Sequence, residues 1–264
     1  MTPISVSFMT EKVVGHGEDA PPLLISKGKA CTVGVFDGMG GAGATTCASS
    51  FGDGYTQAYV ASRIVCSSVD IFLQNHLLTD DVCAEEMKAV IKRKLCEEKE
   101  SFPPKVKSAL RSKLVREYPT TLAIVVLQEY EKTYKVESYW AGDSHCYLWT
   151  KDGFFQISNC ICADRDFTIN STAFEIPKGP TIILCATDGC FGYYQSPMHF
   201  EYILSSTIQK AKEEKEWELL LRDEILKVTG DDCSLSLIAK GFSSFAELKK
   251  LMKSVPTDVV ELMK

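Results

Sequence analysis

From Cys31 to Gly43 the chain reads CTVGVFDGMGGAG, an apolar strand that ends on an acid, Asp37, and passes at once into a glycine turn. Such a segment puts a carboxylate at the end of a buried strand. It also lets backbone groups come close to whatever that carboxylate binds, because glycine carries no Cβ and tolerates φ > 0. Two chemistries suit it. Gly38-Met39-Gly40-Gly41-Ala42-Gly43 matches G-x-G-x-x-G, the pattern that seats a dinucleotide pyrophosphate on a helix N-terminus. Alternatively, Asp37 ligates a hard cation and Gly38 adds a backbone carbonyl. Beside a pyrophosphate, Asp37 would be repelled by about 4 kcal/mol at ~4 Å and an effective dielectric of roughly 20. Beside a cation it is attracted. The metal reading is therefore favoured, and it requires further ligands.

Three more acid-bearing segments lie far apart in the chain, each at the edge of an apolar β-type run. Glu18-Asp19 follows the alternating Ile4-Ser5-Val6-Ser7-Phe8. Asp188 ends Thr181–Thr187 and precedes Gly189. Asp231-Asp232 stands just before Ser234–Ala239. Strand-end acids without a His or Cys partner motif suit an oxygen-only site for Mg²⁺ or Mn²⁺.

These segments resemble the metal-dependent serine/threonine protein phosphatases of the type 2C family, in a compact form of bacterial style. The resemblance is carried by Gly17-Glu18-Asp19-Ala20, Val35–Gly41, Ala141-Gly142-Asp143-Ser144-His145, Ala186-Thr187-Asp188-Gly189 and Asp231-Asp232-Cys233-Ser234-Leu235. Pro119-Thr120-Thr121-Leu122 resembles the family's G-T-T turn before a central strand. Each motif alone is weak, but five in family order are specific. The resemblance implies two divalent cations bridged by Asp37, with the Gly38 carbonyl, Asp188 and Asp231 as further ligands. Glu18 and Asp19 match outer-shell acids that hold metal-bound waters, and Asp143 matches the holder of a third, looser metal. It also implies a four-layer α/β/β/α sandwich of two mainly antiparallel sheets flanked by helices, an α+β fold. The implied reaction is hydrolysis of phosphoserine and phosphothreonine on proteins by metal-activated water, the substrates being targets of a Ser/Thr kinase.

The departures from the pattern bear on activity. Val14 stands where eukaryotic members place a phosphate-gripping arginine, with Lys12 and His16 the nearest substitutes, and neither has arginine's planar fork. Met39 replaces a histidine general acid, and the segment between Asp143 and Asp188 is short, which implies a reduced flap. A catalytically weak pseudophosphatase or sensor on the same fold is thus the main alternative. A dinucleotide-binding oxidoreductase, resting on the glycine match, is a further one that leaves Asp188 and Asp231 without a role.

At 264 residues and 45% hydrophobic content the chain can bury the core of one large domain. We assign 1–241 to the catalytic domain and 242–264 to a C-terminal helical tail packed on it. A net charge of −6 argues against nucleic-acid binding. The purest apolar run, Leu122–Leu127, is far too short to span a bilayer. With no signal-like opening, the eleven cysteines read as reduced thiols of a cytoplasmic monomer. Cys160-Ile161-Cys162 lacks a matching pair and reads as core or loop thiols rather than a soft-metal site.

Expected strands are Ile4–Met9, Thr32–Phe36, Thr121–Leu127, Tyr134–Trp140, Cys146–Trp149, Phe154–Ile157, Thr181–Ala186 and Ser234–Ala239. Helices are expected at about Ala44–Leu78 and Cys83–Val115, after Ser196-Pro197, and over Glu214–Val228. Ser244-x-x-Glu247 opens a capped amphipathic helix carrying Phe245, Leu248, Met252 and Val255.

Overall fold

The computed structural model describes residues 3–77, 82–102, 116–158 and 168–252. In chain order the strands and first helices are β1 (Ile4–Thr10), β2 (Leu23–Lys27), β3 (Ala30–Val35), α1 (Gly40–Gly43), β4 (Thr46–Ser49), β5 (Gly52–Thr56), α2 (Gln57–His76) and α3 (Ala84–Ser101). There follow β6 (Leu122–Glu129), β7 (Thr133–Ala141), β8 (His145–Thr150), β9 (Gly153–Gln156), β10 (Asn170–Pro177) and β11 (Thr181–Ala186). The chain continues through α4 (Asp188–Phe191), α5 (Pro197–Lys210), α6 (Glu214–Leu226), β12 (Cys233–Lys240) and α7 (Phe245–Leu251).

Two five-stranded sheets form, in the orders β1-β12-β11-β8-β9 and β10-β7-β6-β3-β2. Every pairing within them is antiparallel. Strand alternation makes the layers. In β6, Ala123, Val125 and Leu127 face the other sheet with Val33, Val35, Leu148, Ile183 and Ile238. Its alternate residues Leu122, Ile124 and Val126 pack under Val65, Val69 and Phe72 of α2 and Met87 and Ile91 of α3. Both faces are buried, which explains an uninterrupted apolar run in an antiparallel sheet. On the far side, Leu184, Leu235 and Leu237 pack against Phe200 and Leu204 of α5, Trp217 and Leu221 of α6, and Leu248 of α7. The result is the expected α/β/β/α sandwich.

The inward face of β12 carries serines, and each finds a backbone partner across the sandwich. Ser236 Oγ donates to the Leu23 carbonyl (2.7 Å) and accepts from Gly34 N–H (3.3 Å), while Ser234 Oγ donates to the Ala20 carbonyl (3.2 Å). These bonds tie the two sheets in one register.

Several sequence expectations are corrected. The helix expected over Ala44–Leu78 starts only at Gln57, because Thr46–Thr56 forms the β4–β5 hairpin. Gly52 and Gly54 in that hairpin have φ of 116° and 91°, which a helix cannot accommodate. Strands β2 and β10 were not anticipated. Both are edge strands, and no residue of β10 is more than partly buried, so it shows little apolar signal. α3 occupies Ala84–Ser101, and the remainder of the expected Cys83–Val115 helix, like Cys160-Ile161-Cys162 and Val255, lies outside the described residues. α6 ends at Leu226, before the expected Val228. Ser196 stands at the N-cap of α5 without a side-chain cap bond, whereas Ser244 Oγ does accept from Glu247 N–H (3.2 Å). α1 is a four-residue turn between antiparallel elements, so the glycine run does not open the long helix of a parallel βαβ unit. Among the described residues no helix is long and apolar enough to cross a membrane.

Candidate functional site

Strand ends bring the acids together. Ala20 N–H donates to the Phe36 carbonyl (2.9 Å), which brings the Glu18-Asp19 segment beside the end of β3. Asp37 is fixed through its backbone by the Pro119-Thr120-Thr121 turn. Its carbonyl accepts from Thr121 N–H (2.8 Å) and Thr120 Oγ1 (2.6 Å), and its N–H donates to Thr121 Oγ1 (3.3 Å). Thr121 Oγ1 also bonds Ser144 Oγ (2.6 Å), next to Asp143. The threonines of this turn thus link Asp37 to the loop carrying Asp143. Gly38 must be glycine here: a Cβ would lie 2.6 Å from the Glu18 carbonyl oxygen and 2.7 Å from that of Ala58.

Asp19 is buried, and Thr187 Oγ1 donates to its Oδ2 (3.0 Å) while accepting from Ser234 N–H (2.9 Å). Glu18 is held on three sides. Thr56 Oγ1 donates to Glu18 Oε1 (2.5 Å) and accepts from Tyr59 N–H (3.1 Å), so the N-cap of α2 also orients this acid. Ser62 Oγ donates to the Glu18 carbonyl (2.6 Å), and the Arg63 guanidinium donates to the carbonyls of Gly17 (3.1 Å) and Glu18 (3.4 Å) while lying 3.3 Å over the Tyr59 ring. Asp188 opens α4, and Asp231 sits exposed just before β12. Asp232 holds the loop before Glu18. Its Oδ1 accepts from Lys12 N–H and its Oδ2 from Glu18 N–H, both at 2.7 Å.

The electrostatics follow from this gathering. Burial first, then the charges of Asp19, Asp188 and Asp143, hold the Asp37 carboxyl well above the usual range. Burial pushes the Asp19 carboxyl up to about 7. Asp188 is raised by burial and then by Asp143 and Asp231, and Glu18 by burial, with Asp232 and Asp231 adding to it against the Thr56 hydrogen bond. Beside Asp143, burial lowers the His145 imidazole, which stacks on Phe191 at 4.2 Å and bonds Tyr147 Oη at 3.0 Å.

All of the acids singled out from the sequence therefore lie in one neighbourhood: Glu18, Asp19, Asp37, Asp143, Asp188 and Asp231. No three His, Cys, Asp or Glu side chains among the described residues are already set out as a metal cage. The donor chemistry nonetheless fits a hard divalent cation. It is all oxygen, and Asp37, Asp19 and Asp188 are mutually repelling carboxylates whose ionised forms need an outside positive charge. Val14 is 88% exposed on the loop before Glu18, and Lys12 and His16 are exposed beside it.

Sequence reasoning did not assign the orienting hydroxyls of Thr56 and Thr187, the Ser62–Arg63 clamp or the Asp232 latch. Only Thr187 and Asp232 lay inside motifs, and nothing in the sequence shows which acid a distant hydroxyl reaches. Thr187 gives a direct check. Thr187→Val keeps the shape but leaves Ser234 N–H and Asp19 without their partner. We expect about 1–3 kcal/mol of destabilisation in urea unfolding, largely restored in Thr187→Ser.

Among curated protein sequences none matches the chain. Among solved structures it is similar to the serine/threonine phosphatase PstP/Ppp of Mycobacterium tuberculosis, with 12% identity and a TM-score of 0.58 over 90% of this chain and 98% of that one. It is also similar to the catalytic domain of PstP in complex with 2 manganese ions, at 14% identity and a TM-score of 0.53, covering 89% of this chain and 96% of that one. The phosphatase Stp1 of Staphylococcus aureus shares 16% identity at a TM-score of 0.55 over 90% of this chain and 95% of that one. At these identities the likeness is one of fold. The family profile described as protein phosphatase 2C matches residues 16–228, most of the length. The chain belongs to the protein phosphatase 2C family.

Proposed function

We propose that this chain hydrolyses phosphoserine and phosphothreonine monoesters on proteins, with two Mn²⁺ or Mg²⁺ ions held by Asp37, the Gly38 carbonyl, Asp188 and Asp231. Glu18 and Asp19 surround them, and Asp143 holds a third, looser ion. The observation that carries this reading is the convergence of acid-bearing strand ends: Ala20 N–H on the Phe36 carbonyl sets Asp19 beside Asp37, Thr187 Oγ1 on Asp19 brings in Asp188, and Gly189 lies against the Asp232 backbone next to Asp231. Bound there, the cations would supply an acidified water and neutralise the phosphate oxygens.

The chain's own groups do the rest. Thr187 and Thr56 orient the outer acids Asp19 and Glu18. Exposed Asp231 leaves the cluster open on one side, where a phosphorylated side chain enters. Met39 carries no transferable proton, so the departing alkoxide is protonated from solvent. Arg63 directs its donors to backbone carbonyls and serves the acid loop rather than the phosphate. The substrates fit the products of a Ser/Thr kinase.

The test is hydrolysis of a chromogenic phosphomonoester by dialysed protein. Turnover is expected with added Mn²⁺ or Mg²⁺ and none in excess chelator, whereas full turnover in chelator overturns the reading. The alternative of a sensor that binds metal without turnover is favoured by one feature, Val14 in place of a phosphate-gripping arginine. Metal binding without hydrolysis in the same assay would select it.

A further inference from the structure

Between β1 and Glu18 the chain makes a short excursion that no packing holds. Lys12, Val13, Val14, Gly15 and His16 are all exposed, so burial does little to keep this loop in one place. Hydrogen bonds hold it instead. Inside the loop, Gly15 N–H donates to Glu11 Oε2 (2.6 Å) and His16 N–H to the Val13 carbonyl (2.9 Å). At the base of the loop, a single side chain closes both ends. Thr10, the last residue of β1, pairs with Cys233, which sets Asp232 opposite the chain as it leaves the strand. Asp232 Oδ1 accepts from Lys12 N–H where the excursion starts and Oδ2 from Glu18 N–H where it ends, both at 2.7 Å. A carboxylate offers two equivalent acceptors to two converging N–H groups, whereas an asparagine would turn its amide NH₂ on one of them. The charge itself is unfavourable here, since burial first and then Asp232 raise the Glu18 and Asp19 carboxyls.

Glu18 is the end of the loop that meets the acid cluster. Its carbonyl oxygen packs on Gly38, where a Cβ would lie 2.6 Å away, and accepts from Ser62 Oγ (2.6 Å). Its carboxylate accepts from Thr56 Oγ1 on Oε1 (2.5 Å), and Oε2 sits against Gly40, where a Cβ would lie 1.7 Å away. Carbonyl and carboxylate are thus fixed to the turn after Asp37 and to the start of α2, while the N–H is fixed to the residue that follows Asp231. We propose that Asp232 is a positioning residue: by closing both ends of the loop it fixes Glu18 relative to Asp231, and so couples order in residues 12–18 to cation binding at the acid cluster. The proposal rests on the phosphatase reading above and adds a residue that acts through Glu18 in that same site. Such a coupling is reciprocal. If the latched loop favours the cation, a bound cation favours the latched loop by the same factor.

The experiment compares the whole wild-type chain with Asp232→Asn. Amide hydrogen exchange over residues 11–18 is read by mass spectrometry and Mn²⁺ affinity by titration calorimetry. In wild type, exchange in the loop is expected to slow when Mn²⁺ is added. In Asp232→Asn the loop is expected to exchange faster with or without the ion, and the Kd for Mn²⁺ to rise about tenfold. At saturating Mn²⁺, kcat on a phosphothreonine peptide should fall about tenfold with KM within about twofold of wild type, because Glu18 is displaced and the substrate contacts are not. A merely structural role would lower the melting temperature in chelator and leave Mn²⁺ affinity and kcat unchanged. That result overturns the proposal, as does wild-type loop exchange that Mn²⁺ does not alter. An affinity loss that disappears in about 1 M KCl, where charges are screened within about 3 Å, would be the attraction of Asp232 for the cation and not the latch, and also overturns it. Should the variant fail to fold, wild-type exchange with and without Mn²⁺ decides the matter. Wild type that binds Mn²⁺ and releases no phosphate ends the phosphatase reading, while exchange and affinity still decide the latch. Wild type that binds no Mn²⁺ overturns both.

Discussion

Asp37→Asn is expected to lose at least about a hundredfold in phosphatase turnover while remaining folded. Asp37 is the acid on which the charges of Asp19, Asp188 and Asp143 all bear, so no single neighbour takes its place. The sign of its effect on stability is opposite to its effect on activity. An acid whose carboxyl is raised in the fold is disfavoured there, relative to the unfolded chain, at every pH above its unfolded value. Removing the charge relieves that cost, so in chelator the variant should melt at or above the wild-type temperature. With Mn²⁺ present the order should reverse, because wild type gains stability from a bound cation and the variant gains little. Wild-type rates in Asp37→Asn, or an equal Mn²⁺-induced shift in both proteins, would remove Asp37 from the metal site.

Gly189→Ala should be the most damaging small substitution at the site. A Cβ there would lie 1.8 Å from the Asp232 backbone oxygen, 2.9 Å from its carbonyl carbon and 3.2 Å from Cys233 Sγ. The two nearest of these atoms are backbone, which cannot swing away as a flexible side chain could. The loops carrying Asp188 and Asp231-Asp232 would have to separate, at about 3 kcal/mol or more. Gly41→Ala is the matched control, since a Cβ at Gly41 meets nothing within 4 Å. Its expected change in unfolding midpoint is within error. Equal effects at the two positions would show that loop contact does not hold the acids together.

The glycine result also shows what could be read in advance. The glycine-rich stretch was read as room for a ligand to approach Asp37, yet Gly38 is needed for close contact with other loops of the chain itself. Strand-end acids were legible because burial on both faces makes β3, β6, β11 and β12 apolar up to the residue where the chain leaves the sandwich. An acid at that boundary is conspicuous. Edge strands β2 and β10 were not legible, since one side of each lacks a paired strand and its residues need not be apolar. The β4–β5 hairpin was hidden inside an expected helix because Ala, Ser and Thr are tolerated in both, and the glycines at 52 and 54 outweigh them only through their positive φ. Thr56 and Arg63 illustrate the remaining gap. Each acts on Glu18 or its carbonyl across some forty residues of chain, a pairing that exists only once α2 has packed beside the acid loop.

Phosphate release from a phosphothreonine peptide, followed while Mn²⁺ is titrated into metal-stripped protein, decides whether this chain is a metal-dependent phosphatase. No release is expected before metal, followed by saturable activation as Mn²⁺ is added and complete reversal by chelator. Release that is independent of Mn²⁺ and Mg²⁺, or a protein that binds Mn²⁺ at Asp37 and still releases no phosphate, would contradict it.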